Sequence, residues 1–342
     1  MPTPLQPGIN GPDFLLPAAN LGRKASMAGQ RGKNVVLFFF PFPCGEELAA
    51  QLARYQERVQ GFAGQAAEVI GVSDAPEDSL RQLAGEKGIE FALLSDSQPA
   101  GGTASLYGVR SDDGAILPTL FVIDDEGLIR RVYEPGPDAG LPNPAMVARA
   151  LNKLADTPKP APVTEDDWQL GPREAPVVLI EYSDYQCGRC AELHDLLNQI
   201  LLGYGDKVML VHRHYLLRHS HPQAQSAAEA AEAAGAQGKF CEMHHRLFGA
   251  QQRLEREQLL RCAEEIALDM DRFVADLDSR RFEGAVNEKF RLAVGDKIKF
   301  PPALFINRIR FEGPRSREAI CARIDSLLAC TRQVQAQVAH RG

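Results

Sequence analysis

Apolar and polar positions follow two different periods along this chain, and the switches between them outline its elements. In the first half, the short apolar runs NVVLFFF (34–40), EVIGVSD (68–74) and FALLSD (91–96) predict buried strands. Between them, EELAAQLARYQERVQGF and PEDSLRQLAGEKG repeat apolar residues every three or four positions, which predicts amphipathic helices. TLFVIDDEGLIRRVYE then predicts a hairpin that turns at Asp124–Gly127. This order describes an α/β unit closed by antiparallel strands.

After Tyr133 the pattern breaks into EPGPDAGLPNP, a short helix around Ala145–Leu154, and the stretch DTPKPAPVTEDDWQLGPREAP. Each proline fixes φ and removes a backbone donor, so a cluster of them reads as an extended connector. The boundary falls near residue 160, giving domains over 1–157 and 158–342. The second half opens with the strand VVLIEYSD running into CGRC, then the helix AELHDLLNQILLGY and the strand KVMLVHRHY. From Pro222 to about Asp296 the residues are helix formers without strand signals, which predicts a helical insertion over about 217–297. Strands return with ALFIN and RIRFEG, a helix closes the chain from about Ser316, and the polar tail QVQAQVAHRG is expected to fray. The two halves share a layout without any repeat of fixed period.

Composition narrows the functions available. A chain of 342 residues is long enough for two cores, and 44% hydrophobic with 24% charged residues excludes a disordered or collagen-like polymer. A net charge of -7 without a basic block implies neither nucleic acid nor an anionic membrane as partner, and Arg130 with Arg131 reads as a solvated face. The first residues lack a charged segment followed by an apolar one, and no apolar run reaches membrane-spanning length, so a cytoplasmic location is expected. Seven scattered cysteines make no disulfide framework and fit a reducing compartment, where a close pair is catalytic or metal-binding more often than structural.

Cys187 and Cys190 form that pair, at the switch from strand formers to helix formers. A helix N-terminus offers unpaired N–H groups and the positive end of the macrodipole, which favour the reactive thiolate at Cys187. Cys190, one turn on, faces the same side and can resolve a mixed disulfide. Arg189 adds a cation that lowers the thiol pKa, Asp184 opposes it, and Glu181 on the incoming strand supplies a carboxylate able to move a proton to or from the resolving thiol.

EYSDYQCGRC, followed by AAEAAEAAGAQGKFCEMHHRLF and by PPALFIN, resembles the DsbA-like branch of the thioredoxin superfamily over roughly residues 170–330. The resemblance implies a thiol–disulfide oxidoreductase with Cys187 as nucleophile, Cys190 as resolving cysteine, Glu181 as the acidic residue of the preceding strand, and Pro302 as the cis-proline beside the dithiol. Two departures stand out. The central dipeptide is Gly-Arg rather than Pro-His or Pro-Tyr, and the residue before the cis-proline is Pro301, which lacks the N–H that clamps a bound peptide in the family.

In the first half, GPDFLLP, GKNVVLFFFPFPCGEEL and PTLFVIDDEG resemble the alkyl hydroperoxide reductase and thiol-specific antioxidant group, the peroxiredoxins and their relatives, over roughly residues 6–135. Cys44 falls at that group's reactive cysteine, again at a strand-to-helix junction expected to favour a thiolate. Pro41 stands where the group has Thr or Ser, and Glu47 where a second cysteine would be. Pro118 stands in place of the peroxide-orienting arginine and resembles a cis-proline, leaving Arg110 as a substitute cation.

The expected architecture is therefore α/β, with two thioredoxin-like domains, the second carrying the helical insertion. The leading expectation is a thiol–disulfide oxidoreductase acting on protein or small-molecule disulfides, in which the N-terminal domain positions a substrate or relays electrons through Cys44, recycled by a thiol system and using no cofactor. A second is a fused peroxidase in which Cys44 meets hydroperoxide and CGRC reduces it. A third is a zinc-bearing or degenerate interaction module, with CGRC as half of a site completed from His212, His214, His219, His221, Cys241, His244 and His245. The ordinary reading makes His194 an exposed helix residue, His244 and His245 helix packing and surface, Cys241 core filling, and Cys262, Cys321 and Cys330 small apolar helix residues.

Overall fold

The apolar runs become strands and the amphipathic stretches become helices in the computed structural model, which describes residues 3–97, 102–135 and 140–339. The chain forms two compact units, Met1–Thr157 with Ser326–Gly342, and Pro158–Asp325. The last stretch of the final helix thus clusters with the first unit.

In chain order the first unit contains β1 (Leu15–Ala18), β2 (Arg23–Ser26), β3 (Asn34–Phe39), α1 (Glu46–Ala63), β4 (Ala67–Ser73), α2 (Glu77–Lys87), β5 (Ala92–Ser95), α3 (Gly102–Leu106), β6 (Thr119–Ile123), β7 (Ile129–Tyr133) and α4 (Pro144–Asp156). They make one sheet in the order β2-β1-β5-β4-β3-β6-β7. The strands β3, β4 and β5 are parallel, β6 pairs antiparallel with β3, and β7 pairs antiparallel with β6. Phe38 on β3 packs against Phe40, Tyr55 and Phe91, with ring centroids 5.4–6.0 Å apart. Full burial of side chains this large contributes about 1.5–3 kcal/mol each. Gly127 closes the β6–β7 turn with φ +84° and donates its N–H to Asp124 at 2.8 Å. Arg130 is buried within 3.8 Å of Asp124, which corrects the expectation of a solvated face.

The second unit contains β8 (Trp168–Leu170), β9 (Val177–Ser183), α5 (Gly188–Tyr204), β10 (Val208–His214), the five helices α6 (Ala224–Gly235), α7 (Phe240–Gly249), α8 (Arg256–Glu265), α9 (Met270–Asp278) and α10 (Glu283–Gly295), then β11 (Ala303–Ile306), β12 (Ile309–Arg310) and, up to Asp325, the start of α11 (Arg317–Ala339). The sheet order is β12-β11-β9-β10-β8. The central strand β9 runs parallel to β10 and antiparallel to β11. The short strand β8 emerges from what the sequence marks as connector, and α11 continues through Ala339 where fraying was expected; residues 340–342 of that tail and 136–139 of EPGPDAGLPNP lie outside the described residues. No helix among the described residues is long and apolar enough to cross a membrane.

Candidate functional site

Strand β9 ends at Ser183 and α5 begins at Gly188, so the four residues between them place Cys187 at the helix N-cap, with extended backbone (φ -83°, ψ 113°). The loop is pinned from several sides. The carboxylate of Asp184 accepts the backbone N–H groups of Gln186 and Leu217, each at 2.8 Å. Gln251 Nε2 donates to the carbonyls of Tyr185 and Cys187 at 3.0 and 2.9 Å.

Cys187 is half-buried and Cys190 is fully buried. The Cys190 thiol donates a hydrogen bond to the Cys187 sulfur, and this is the leading cause that lowers Cys187 from the ordinary thiol value of 9.0 to about 6. Burial opposes the shift, while the backbone N–H groups of Cys190 and Arg189 reinforce it and Asp184 acts against it. Arg189 therefore helps through its backbone N–H at the helix N-terminus, whereas its side chain was expected to do so. The same hydrogen bond, with burial, drives Cys190 far upward. One thiol is poised as a thiolate and its neighbour is held protonated.

The peptide bond Pro301–Pro302 is cis, and Pro302 directly precedes β11, whose Ala303 is the register partner of Tyr182 on β9. Arg315 Nη2 donates to the Pro302 carbonyl at 2.8 Å.

Beneath the dithiol lies a buried cluster of imidazoles and carboxylates. Glu181 is fully buried; burial alone would raise its carboxyl, but hydrogen bonds from His212 and His244 outweigh that and hold it below the usual carboxylate range. Its Oε1 lies 3.1 Å from His212 Nδ1 and 3.5 Å from His244 Nε2. From His212 a chain continues through Nε2 to His214 Nδ1 at 3.2 Å, then from His214 Nε2 to Glu232 Oε1 at 3.0 Å. Trp168 Nε1 and Lys289 Nζ both donate to that same oxygen, at 3.0 and 2.8 Å. Burial pushes His212 and His244 down to about 4, so both imidazoles are neutral near pH 7. Burial lowers His214 as well, so His212 and His214, both neutral between Glu181 and Glu232, supply two protons for three gaps and the chain can take up one more.

His194, three residues after Ala191, is buried in the same cluster, with its ring 4.7 Å from that of His244 and stacked on Phe248 at 4.6 Å. This corrects the exposed-helix reading of His194, whereas His244 is packed within the helix layer as expected and reaches Glu181 besides. Cys241 lies exposed, contrary to the core-filling expectation; Cys262 and Cys330 are buried and Cys321 half-buried. The sequence offers His212, His214 and His244 as possible zinc partners but gives no part to Glu232 or Tyr185. A usable signal existed: His212 and His214 sit two apart at the end of a strand that opens with the apolar run VMLV, and in register opposite Glu181 and Ser183. Equal parity on two buried strands puts all four on one face.

Cys44 stands elsewhere, in the first unit, one residue before the N-cap Gly45 of α1. Burial raises its thiol against a weaker pull from its own backbone N–H and from Lys87, which corrects the expectation of a favoured thiolate. Arg110, the substitute cation, is engaged by Asp74 at 3.2 Å and by the Gly114 carbonyl. Among the described residues the other cis peptide is Phe42–Pro43, and Pro118, which the sequence likened to a cis-proline, is trans.

Residues 163–326 match a family described as Thioredoxin, and residues 7–132 match the AhpC/TSA family. Among curated proteins, the Na(+)/H(+) antiporter NhaA 3 of Salinispora tropica is 40% identical over 192 residues, 55% of this chain and 29% of the antiporter. The chain spans about a third or less of the length of such relatives. Among solved structures, oxidised BdbD from Bacillus subtilis aligns with a TM-score of 0.46 at 21% identity, covering 51% of this chain and 98% of BdbD. Mycobacterium tuberculosis AhpC aligns with a TM-score of 0.41 at 22% identity, covering 45% of this chain and 94% of AhpC.

Proposed function

The chain is a two-domain protein of the thioredoxin superfamily, and from that premise we propose that it is a thiol–disulfide oxidoreductase working through the CGRC dithiol. The observation that carries this reading is the asymmetry of the pair: Cys187 lowered to about 6 by the Cys190 thiol, and Cys190 held protonated. The Cys187 thiolate attacks one sulfur of a substrate disulfide; a Cys187–substrate bond forms, the substrate S–S bond breaks, and the departing thiolate takes a proton from water. Cys187 then carries no charge, so the influence that raised Cys190 disappears and its thiol ionises more readily. Its proton passes to Glu181 and on to His212, 3.1 Å away. Cys190 attacks the Cys187 sulfur, the substrate leaves as a second thiolate, and the Cys187–Cys190 disulfide remains. Two electrons have moved to the substrate, and an external thiol returns them. Pro302 faces this exchange from the edge of β11, where Pro301 withholds the backbone donor that would clamp a peptide.

Cys44 takes no part in this scheme. Burial raises its thiol more than its backbone N–H and Lys87 lower it, and the substitute cation Arg110 is engaged by Asp74, so the fused-peroxidase reading lacks a favoured thiolate at that sulfur. We place the protein in a reducing cytoplasm on its seven scattered cysteines, acting on protein or small-molecule disulfides. Replacing Cys187 with Ser should abolish dithiothreitol-driven insulin reduction, and undiminished turnover in that variant would reject the assignment.

A further inference from the structure

We infer that Glu181, His194 and His244 form a binding site for a divalent metal ion of the zinc class, separate from the cysteine sulfurs. Each of the three offers a donor atom, all of these lie within 4.8 Å of one another, and all three side chains are buried. Two imidazoles and one carboxylate are a ligand set that binds such an ion with a fourth position left for water.

What distinguishes this triplet from ordinary buried packing is how its atoms are engaged. Glu181 and His194 each leave one buried atom without a partner, and His244 turns its Nε2 toward Glu181 Oε1 in a contact that an ion would replace. Glu181 is tied through Oε1 to His212, while its buried Oε2 has no hydrogen-bond partner. His194 Nε2 lies 3.3 Å from His245 Nδ1, to which it donates when Nδ1 ligates, and 2.9 Å from the Asn198 amide nitrogen, a donor that must then turn away, while the buried Nδ1 of His194 has no partner. His244 is tied through Nδ1 to the Tyr185 hydroxyl at 2.8 Å, and its Nε2 faces Glu181. Ligating histidines normally hold their second nitrogen in this way, which fixes the ring for the metal. Two unpaired buried polar atoms in one cluster are costly, and a cation would satisfy both.

Space and strain are compatible with occupancy. A cavity of about 30 Å³, lined among others by His194, His212 and His244, adjoins the triplet. That volume holds one water molecule, the fourth ligand of a tetrahedral centre. Bonds of roughly 2.0–2.2 Å bring tetrahedral donors to roughly 3.4 Å apart, so the rings must swing inward by about an ångström. The cysteines are not part of the set: Cys190 is engaged with Cys187 and accepts from the Asp184 N–H at 3.5 Å.

The test uses the full chain with Cys187→Ser and Cys190→Ser, which removes dithiol binding and makes the result independent of the proposed redox activity. Equilibrium dialysis against Zn²⁺ should give about one ion per chain, and Co²⁺ should give a tetrahedral visible spectrum lacking a thiolate charge-transfer band. His194→Gln and His244→Gln in that background should each weaken binding by at least about tenfold, with His219→Ala unchanged. Zn²⁺ should also raise the melting temperature of the dithiol-free protein but not of its His194→Gln form. Tyr185→Phe, which keeps the packed ring and releases His244 Nδ1, should weaken binding about tenfold and guards against misfolding of the ligand variants. Absence of bound Zn²⁺, a thiolate band with Co²⁺, or binding that survives both histidine replacements would overturn the site.

Discussion

Replacing Cys190 with Ala isolates the interaction on which the reactivity of Cys187 depends. In the native pair the Cys190 thiol leads the causes that bring Cys187 to about 6, with the N–H groups of Cys190 and Arg189 adding to it. At pH 6.5 a thiol of pKa 6 is about three-quarters ionised, whereas one of pKa 8 is ionised to about 3%. The alanine variant keeps the helix N-terminal donors and loses only the side-chain donor, so the Cys187 value should rise to between 6 and 9.0. Since a thiol whose folded value is depressed is ionised across the window between the two values, the loss of reactivity appears between about pH 6 and 9 and vanishes above it. The assay is the rate of iodoacetamide alkylation at Cys187 against pH, followed by mass spectrometry of the peptide that contains it. The native midpoint should lie near 6 and the variant's at least one unit higher, with the rate at pH 6.5 lowered about threefold or more. A native midpoint near 9, or an unchanged profile in the variant, would refute the assignment of the shift to Cys190.

Cys44→Ser should leave dithiothreitol-driven insulin reduction within about twofold of native, and hydrogen peroxide consumption should not depend on Cys44; a large fall in either would restore a catalytic role for that sulfur. Glu181→Gln should slow the resolving step by about a hundredfold, read as mixed disulfide accumulating at Cys187 after rapid quench, while the first alkylation of Cys187 stays near native. Gly235→Ala should lower the urea midpoint, because its new Cβ would sit 2.3 Å from the Trp168 ring, which is stacked on Phe240 at 4.3 Å. Overpacking of about 1–3 kcal/mol outweighs the helix gain of about 1 kcal/mol, and a raised midpoint would contradict that balance.

Much of this molecule is legible in its sequence because buried parallel strands need uninterrupted apolar runs. The runs at 34–40, 68–74 and 177–183 announce β3, β4 and β9, and the CGRC pair announces the dithiol at the start of α5. The elements left unread are short or lie at sheet edges. β2 and β8 occupy edge positions, and the four residues of β1 read LLPA with Leu15 exposed. Only one face of such strands is covered, so their sequences carry little pattern. The imidazole cluster escaped for another reason. His194, His212 and His244 come from three elements with no common spacing, and only the parallel register of β9 and β10, with α5 and α7 packed over them, brings them to Glu181. Cys44 shows the converse: its place in the sequence suggests a thiolate, but burial outweighs the pull of its backbone N–H and of Lys87.

The most direct test of the central claim is equilibration of the native protein in glutathione buffers of graded potential, with the Cys187 and Cys190 peptides quantified after acid quench and alkylation. A single two-electron transition is predicted, in which both cysteines are lost together into one intramolecular disulfide and recovered together on reduction, with Cys44 unaffected. Independent oxidation of the two cysteines, or glutathione retained on Cys187 without closure onto Cys190, would contradict it.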